Sequence, residues 1–346
     1  MKKPNKEAIE VSKYIHHFLS EYAPIHLTGS QHTIKSYKTA LSLYITFIEK
    51  NTEITSATLK FDCFGKVNIE SWIEWLSHDR KCSVATINVR IASLRTFLKY
   101  VGSRDTSLLY LYQEVCGIPS KKAIRKKVMG LSKDAVKIIL AAPDISTKSG
   151  RRDVSFMVLL YSTAARLDEL LDMKVKQLHL KSKKPYASVV GKGGKIRTLY
   201  LLPKTVAHME QYMKEFHGDT PEQEAYIFYS RNTGKYGKMS QTAIDKFLKK
   251  YARQCHITCL DVPMNLHAHN FRHAKSSHWL EDGMNIVQIS FLLGHENLQT
   301  TMIYLDITTD QVAEALVTIE NETDKMVTPK WKGNDGSLLN FCGLTL

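Results

Sequence analysis

The chain has 346 residues, of which 43% are hydrophobic, and its formal net charge at pH 7 is +14. This length suits two domains better than one ordinary core, and no stretch approaches the roughly 18 apolar residues of a membrane span. The polar N-terminus lacks the apolar core of a secretory signal. We therefore expect a cytoplasmic protein without membrane contact, whose six scattered cysteines are reduced.

The positive charge is concentrated before residue 305, because the segment after Tyr304 carries seven acidic and three basic residues. A basic surface favours a polyanionic partner, since contacts with phosphates release bound counterions. The charge therefore indicates a nucleic-acid partner, with an ordinary basic protein as the alternative.

Residues 8–118 are predicted to form a helical domain. Apolar residues recur at three- and four-residue spacing over 34–48, which is the pattern of an amphipathic helix. The runs 72–76 and 86–101 predict two further helices. The basic residues of the last run are expected on its solvated face (Arg90, Arg95 and Lys99). Glycine, proline and a basic cluster then predict a linker over 119–130.

Residues 131–325 are predicted to form a second domain, in which helices surround a small β-hairpin. Ser132 is the predicted N-cap of a helix over Lys133–Ala142. Two β-rich runs, 186–190 and 196–201, flank a glycine-rich tip. Further helices are predicted over 151–163, 242–254, 269–282, 285–293 and 308–320. The fold class is therefore mainly α with a small β-sheet (α+β), and the tail 326–346 has no assigned role.

Five features whose side chains could take part in a reaction follow one another along the second domain. In chain order they are Arg166 after a helix, Lys192 at the hairpin tip, His269 with Arg272, the Gly294-His295 pair, and Tyr304. His269 and Arg272 are three residues apart, so one helix face presents both to the same anion. Each feature alone is typical of an ordinary capping, solvated or packing residue. The joint order is what indicates a shared site.

This joint order resembles the tyrosine recombinase family, the lambda-integrase-like site-specific DNA recombinases. The segment Leu292–Tyr304 is similar to the family's LGH…TT…Y box, and the resemblance covers roughly residues 10–320. It implies an N-terminal helical core-binding domain with a SAM-like fold, followed by a catalytic domain with the DNA breaking–rejoining fold. One departure is Ala164-Ala165, where the family more often has Gly-Leu, and we expect it to be tolerated.

The resemblance implies a role for each residue of the constellation. Arg166 and Arg272 would bind the nonbridging oxygens of a DNA phosphate, because guanidinium groups remain charged and offer paired donors. Tyr304 would be the nucleophile that forms a 3′-phosphotyrosyl intermediate. The remaining assignments are Lys192 as acid for the leaving oxygen, His269 in proton transfer and His295 as phosphate donor. Glu169 would orient a neighbouring cation, with an ordinary helix-surface acid as the alternative, and His273, directly after Arg272, is expected to be structural.

The resemblance also implies the partners of the protein. Double-stranded DNA would be the substrate, and a homo-tetramer would hold two recombination sites, with accessory proteins as possible additions. The helix over 308–320 would dock either on a neighbouring protomer or on its own domain. No cofactor and no metal are expected, because the cationic side chains supply the positive charge and the phosphotyrosyl bond makes ATP unnecessary.

Several alternatives remain at this point. Integration, excision or transposition of a mobile element is the favoured role, and Xer-like resolution of chromosome or plasmid dimers is an alternative. A non-catalytic DNA-binding relative and a type IB topoisomerase-like enzyme are others. A zinc site is also considered, because possible ligands cluster in sequence (Cys255, His256, Cys259, His267, His269, His273 and His278).

Overall fold

The computed structural model describes residues 3–122, 131–191 and 194–302, and the chain divides into two compact units, Met1–Lys127 and Val128–Leu346. The first unit is helical throughout its described part. Its α-helices are α1 (Lys6–His17), α2 (Gln31–Asn51), α3 (Lys66–His78), α4 (Val84–Arg104) and α5 (Leu109–Cys116). Short 3-10 turns cover Phe61–Phe64 and Thr106–Leu108.

The core of the first unit forms where the apolar stripes of α2, α3 and α4 meet. Tyr44 of α2 is fully buried against Trp72 of α3 in an edge-to-face contact with ring centroids 5.2 Å apart. Its hydroxyl donates to the backbone oxygen of Cys63 at 2.5 Å, so the buried polar end is satisfied. Ser83 caps α4 by accepting the Thr86 N–H at 3.2 Å. The three helices predicted here are confirmed.

A π-helix over Phe18–Leu27 continues α1, and the sequence pattern did not distinguish it from an α-helix. It contains Pro24, which has no N–H to donate to the helical ladder. The ladder closes instead across five residues, with the Thr28 N–H donating to Ala23 O at 2.9 Å.

Arg95 differs from its expected position on a solvated face of α4. Its Nε donates to Val115 O at 3.1 Å, and its Nη2 donates to Ile118 O. Arg95 therefore holds the end of α5 through backbone carbonyls that a helix C-terminus leaves unpaired. The expectation for this residue was wrong, because a polar helix face also becomes a contact surface where another segment crosses it.

The second unit surrounds a small sheet with helices. Its α-helices are α6 (Lys133–Ala141), α7 (Lys148–Thr163), α8 (Leu167–Leu171), α9 (Pro203–His217), α10 (Gln241–His256), α11 (Ala268–Glu281) and α12 (Ile286–Leu293). Its strands are β1 (Leu178–His179), β2 (Tyr186–Val190), β3 (Ile196–Tyr200), β4 (Tyr229–Ser230) and β5 (Gly234–Lys238). All pairings are antiparallel, in the order β1-β2-β3 and, separately, β4-β5.

The predicted hairpin is β2 and β3, whose register pairs Val190 with Ile196. Successive side chains on a strand point to opposite faces. Ala187 and Val189 therefore face the core, and Arg197 lies on the same inner face as Leu199 of β3. The alternation of side chains along β3 thus places one basic side chain, Arg197, on the face towards the core.

The mainly helical fold with a small sheet is confirmed, and so is the Ser132 cap of α6, which accepts the Ala135 N–H at 3.1 Å. The sequence pattern predicted neither α9 nor the β4-β5 hairpin. The helix predicted over 308–320 and the tail 326–346 lie outside the described residues. Within the described residues, no helix is long and apolar enough to cross a membrane.

Candidate active site

Arg166 lies in the turn that joins α7 to α8 and precedes the first residue of α8. Its backbone N–H donates to Glu169 Oε2 at 2.6 Å, and its Nη1 donates to Glu169 Oε1 at 3.0 Å. This is the acid half of a helix-capping arrangement, in which an acid three residues into the helix binds the preceding N–H. The Arg166 side chain is 36% exposed, so solvent or a ligand reaches it.

The turn before Arg166 depends on Ala164, which ends α7 in the left-handed conformation with φ 49° and ψ 28°. Residues with a Cβ adopt this conformation at a cost, whereas glycine does so freely. The departure from Gly-Leu at 164–165 is therefore a strained position as well as a change of side chain. Ala164 is fully buried, and its carbonyl points to the site.

Arg272 of α11 is 1% exposed and spans the centre of the site. Its Nη1 donates to Ala164 O at 2.7 Å, and its Nη2 donates to Leu293 O at 2.7 Å. Charged hydrogen bonds to backbone carbonyls compensate the burial of the guanidinium. Arg272 thereby joins the turn after α7 to the end of α12.

Arg197 of β3 was not identified from the sequence. Its Nη1 donates to Glu169 Oε1 at 2.9 Å and its Nη2 donates to Glu169 Oε2 at 2.7 Å, while Nη1 also donates to Leu293 O at 2.9 Å. Burial lowers the pKa of the Arg197 guanidinium, and the Glu169 charge opposes that shift. The signal for this residue was the strand alternation, which places a base on a buried face.

The end of α12 is the meeting point of these three arginines. Leu293 O accepts from Arg272 and Arg197, and Gly294 O accepts from Arg166 Nη2 at 3.2 Å. We call this set of contacts between Arg166, Arg197, Arg272 and the carbonyls of residues 293 and 294 the arginine junction. Gly294 is left-handed (φ 62°), and a Cβ there would stand 2.7 Å from Arg197 Nη1. Only glycine fits this turn without displacing Arg197.

His295 follows this turn and is fixed through both ring nitrogens. Its Nε2 lies 3.0 Å from Arg272 Nη2, and its Nδ1 lies 2.8 Å from Thr301 Oγ1. A guanidinium only donates, so Nε2 accepts and the proton of the neutral ring is on Nδ1, donated to Thr301. Burial, then the charges of Arg272, Arg166 and other neighbours, lowers the pKa of His295 to about 4.

His269 lies one helical turn before Arg272 and is exposed. Partial desolvation of the imidazole lowers the pKa of His269, and the charges of Arg272 and Arg166 lower it further, so the neutral form of the ring is favoured. Its ring meets that of His273 edge-on, with centroids 4.3 Å apart. His273 is 7% exposed, so it lies on the inner side of this ring pair.

Lys192 and Tyr304 lie outside the described residues, but the structure describes residues that precede each of them in the chain. Gly191 lies beside the site, because a Cβ built on it would be 3.6 Å from Glu169 Oε1. Thr301, fully buried, is bound to His295. The described residues Gly191 and Thr301, which precede Lys192 and Tyr304 in the sequence, thus lie beside Glu169 and His295.

The residues of the zinc alternative make separate contacts. Cys255 Sγ donates to Ile138 O at 3.8 Å, His256 Nδ1 lies 2.7 Å from Val262 O, and His278 Nδ1 lies 2.8 Å from the Tyr161 hydroxyl. Among the described parts of the chain, no three His, Cys, Asp or Glu side chains gather as metal ligands do. The arrangement suits an anion instead, since the arginine junction gathers three guanidinium groups and the single carboxylate of Glu169 contacts two of them, Arg166 and Arg197.

The comparisons with known proteins identify the family. The sequence model of the phage integrase family matches residues 130–311, and that of the phage integrase N-terminal SAM-like domain matches residues 26–108. The first match covers more than half of the chain, so the chain belongs to the phage integrase family. It is a tyrosine recombinase, a class of DNA strand-transferring enzymes, with a helical SAM-like domain before the catalytic domain.

Named relatives and a solved structure agree with this assignment. The chain is 26% identical over 293 residues to tyrosine recombinase XerC of Chlamydia caviae, covering 81% of this chain and 90% of the relative. It is 28% identical over 301 residues to tyrosine recombinase XerA of Pyrococcus horikoshii, covering 86% and 92%. The fold matches XerH site-specific recombinase bound to palindromic difH substrate, with TM-score 0.67, 16% identity, and coverage of 93% and 100%.

Proposed function

We propose that this recombinase binds double-stranded DNA and exchanges strands at specific sites to integrate, excise or transpose a mobile element, with Tyr304 as its nucleophile. The observation that supports the proposal is the arginine junction, which holds Arg166, Arg272 and His295 at one place in the catalytic domain. That XerH was solved on a DNA substrate supports DNA as the partner.

The charge of the junction suits a phosphodiester. As a nucleophile attacks phosphorus, negative charge grows on the nonbridging oxygens, and fixed cationic donors stabilise that charge best. The side chain of Arg166 is half-buried and His269 is exposed, so both are open to a phosphate from solvent. Arg272 is buried behind them and already oriented by Ala164 O and Leu293 O. Little reorganisation is then needed when the phosphate binds.

The proposed cleavage step is a displacement at phosphorus. The Tyr304 phenolic oxygen forms a bond to phosphorus as the bond to the 5′ oxygen breaks, which leaves a 3′-phosphotyrosyl link and a 5′ hydroxyl. His269, whose lowered pKa favours the neutral ring, accepts the phenol proton, and Lys192 supplies the proton to the leaving oxygen. Ligation is the reverse step with a 5′ hydroxyl from another strand. No cofactor, metal or ATP enters this proton and bond balance.

His295 acts as a phosphate donor only after its hydrogen bonds change. In the free protein its Nε2 accepts from Arg272. A phosphate beside the ring adds negative charge, which favours the protonated imidazole. We propose that substrate binding protonates His295, so that Nε2 turns from acceptor to donor.

A groove on the first unit is the proposed contact for the DNA backbone. Its volume is about 450 Å³, and α2 and α4 supply its walls. It is lined by His32, Lys35, Ser36, Thr39, Ala85, Thr86, Val89 and Arg90. Arg90 and Lys35 line the groove, and their positive charges would bind phosphates of the DNA backbone.

The assembly belongs to the same proposal. A homo-tetramer on two recombination sites, with accessory proteins where the element requires them, provides the second strand to which each phosphotyrosyl link is transferred. We place it in the cytoplasm, where such DNA is available. The relatives named XerC and XerA favour a second role, resolution of chromosome or plasmid dimers.

A covalent-adduct assay tests the proposal. The full chain is incubated in EDTA without ATP with nicked DNA that traps the intermediate, either from the ends of the element that carries its gene or from a chromosomal dimer-resolution site. We expect adduct on the element ends with wild type and none with Tyr304→Phe. Adduct on the chromosomal site alone would favour dimer resolution. Adduct retained by Tyr304→Phe would exclude this nucleophile.

A further inference from the structure

We infer that Arg197 is a positioning residue that balances the charge of Glu169, so that the positive charge of Arg166 remains available to the scissile phosphate. This role rests on the proposed function. It concerns a residue that does not face the phosphate itself, since the Arg197 side chain is 14% exposed and lies on the inner face of β3.

Glu169 is shared unequally between its two arginines. Its side chain is 4% exposed, and Arg197 binds both of its oxygens through two guanidinium nitrogens. Arg166 gives it only one guanidinium nitrogen, Nη1, together with the backbone N–H. The paired, planar contact is the stronger of the two geometries, so Arg197 is the main counter-ion of Glu169.

The consequence for Arg166 follows from the charges. If Arg166 were the sole partner of the buried Glu169, the two would form a neutral pair, and a phosphate would have to compete with the carboxylate. With Arg197 present, the three groups together carry one positive charge. The more exposed partner, Arg166, presents that charge to a ligand. Arg197 thus makes a buried acid compatible with an anion-binding arginine.

Arg197 also fixes the position of the groups around Arg166. Its Nη1 donates to Leu293 O, which accepts from Arg272 as well. Arg166 Nη2 reaches the next carbonyl, Gly294 O. The close approach of Arg197 to Gly294 means that the turn before His295 is shaped around this side chain. Loss of Arg197 would therefore affect Arg166 through Glu169 and His295 through the turn.

The test compares cleavage rates on the nicked trapping substrate at saturating DNA, with DNA affinity measured separately. Arg197→Met removes the counter-charge and keeps an apolar side chain of similar length. We expect cleavage to slow by about 10- to 100-fold, less than the loss of a group that touches the transition state, with DNA affinity changed by less than about threefold because few phosphate contacts are lost. Arg151→Met is the matched control, because Arg151 makes a similar two-oxygen pair with Glu215 away from the site.

A double variant separates charge balance from a purely structural role. Glu169→Gln in the Arg197→Met background removes the unbalanced carboxylate and restores the net charge of the group. We expect the double variant to cleave at least about fivefold faster than Arg197→Met, since the two substitutions are coupled. A double variant as slow as Arg197→Met, or an Arg197→Met enzyme with the wild-type rate, would overturn the inference.

Folding and function are controlled in the same experiment. Thermal unfolding of each variant shows whether it is folded, and Arg197→Lys replaces Arg197→Met if the latter is not. Lysine retains the charge, so we expect its cleavage within about tenfold of wild type; a folded Arg197→Lys enzyme without cleavage would overturn the charge-balance role. Absence of adduct with wild type would overturn the proposed function and this role together, whereas a normal wild-type adduct isolates the result for Arg197.

Discussion

The hydrogen bond between Thr301 and His295 leads to a sharp prediction for the Thr301→Val variant. Thr301 is fully buried, and its Oγ1 lies 2.8 Å from the Nδ1 that carries the ring proton. Valine has the same shape without the hydroxyl, so Nδ1 is left buried without an acceptor. An unsatisfied buried donor costs about 1–3 kcal/mol. If this cost falls on the transition state, where His295 must remain in position, the rate of cleavage falls by about 5- to 160-fold.

The assay is the rate of covalent adduct formation on nicked DNA, with DNA affinity measured in parallel. Thr301→Ser is expected to keep most of the rate because it retains the hydroxyl. Thr300→Val is the matched control, since Thr300 is the exposed neighbour and we expect no change there. A Thr301→Val enzyme that cleaves within twofold of wild type would show that His295 does not depend on this bond, and the reasoning would be refuted.

Three further predictions concern stability and DNA binding. Ala164→Val is expected to lower the free energy of unfolding by at least about 2 kcal/mol, because a branched side chain is strained in a buried left-handed turn, whereas Ala164→Gly changes it by less than about 1 kcal/mol; equal effects in urea denaturation would contradict this. Burial lowers the pKa of His273 to about 4, so this residue takes up a proton in the unfolded chain first, below about pH 6.5. The contribution of His273 to the free energy of unfolding therefore falls towards pH 4, by at most about 3 kcal/mol, and His273→Phe should reduce the pH dependence of stability by that amount. Lys35→Gln and Arg90→Gln are each expected to weaken DNA binding uniformly across sequences and to lower the salt slope by about 1, with an unchanged slope counting against the groove.

Local sequence patterns determined most of the secondary structure. The three- and four-residue apolar spacing fixed α2 and α4, a serine hydroxyl fixed the start of α6, and glycine between two β-rich runs fixed the β2-β3 hairpin. These features depend on residues within one or two turns of each other, so the sequence is sufficient to read them. The π-helix and the role of Arg95 were not accessible in this way, because each depends on a neighbouring segment.

The candidate site also combines features that the sequence determines with contacts that only the tertiary structure determines. The sequence alone determined which residue types the chain supplies in order, and with them the family: the arginine after α7, the His-x-x-Arg on α11, the Gly-His after α12 and the tyrosine nine residues further on. Only the tertiary structure decided that Arg197 shares Glu169 with Arg166, and that the carbonyls of residues 293 and 294 collect all three arginines. Apart from the local pair of Arg166 and Glu169, these contacts join residues 21 to 128 positions apart. The physical reason is that a buried charged group requires polar partners, and packing supplies them from distant segments of the chain. Local periodicity in the sequence does not indicate which distant carbonyl or carboxylate will be that partner.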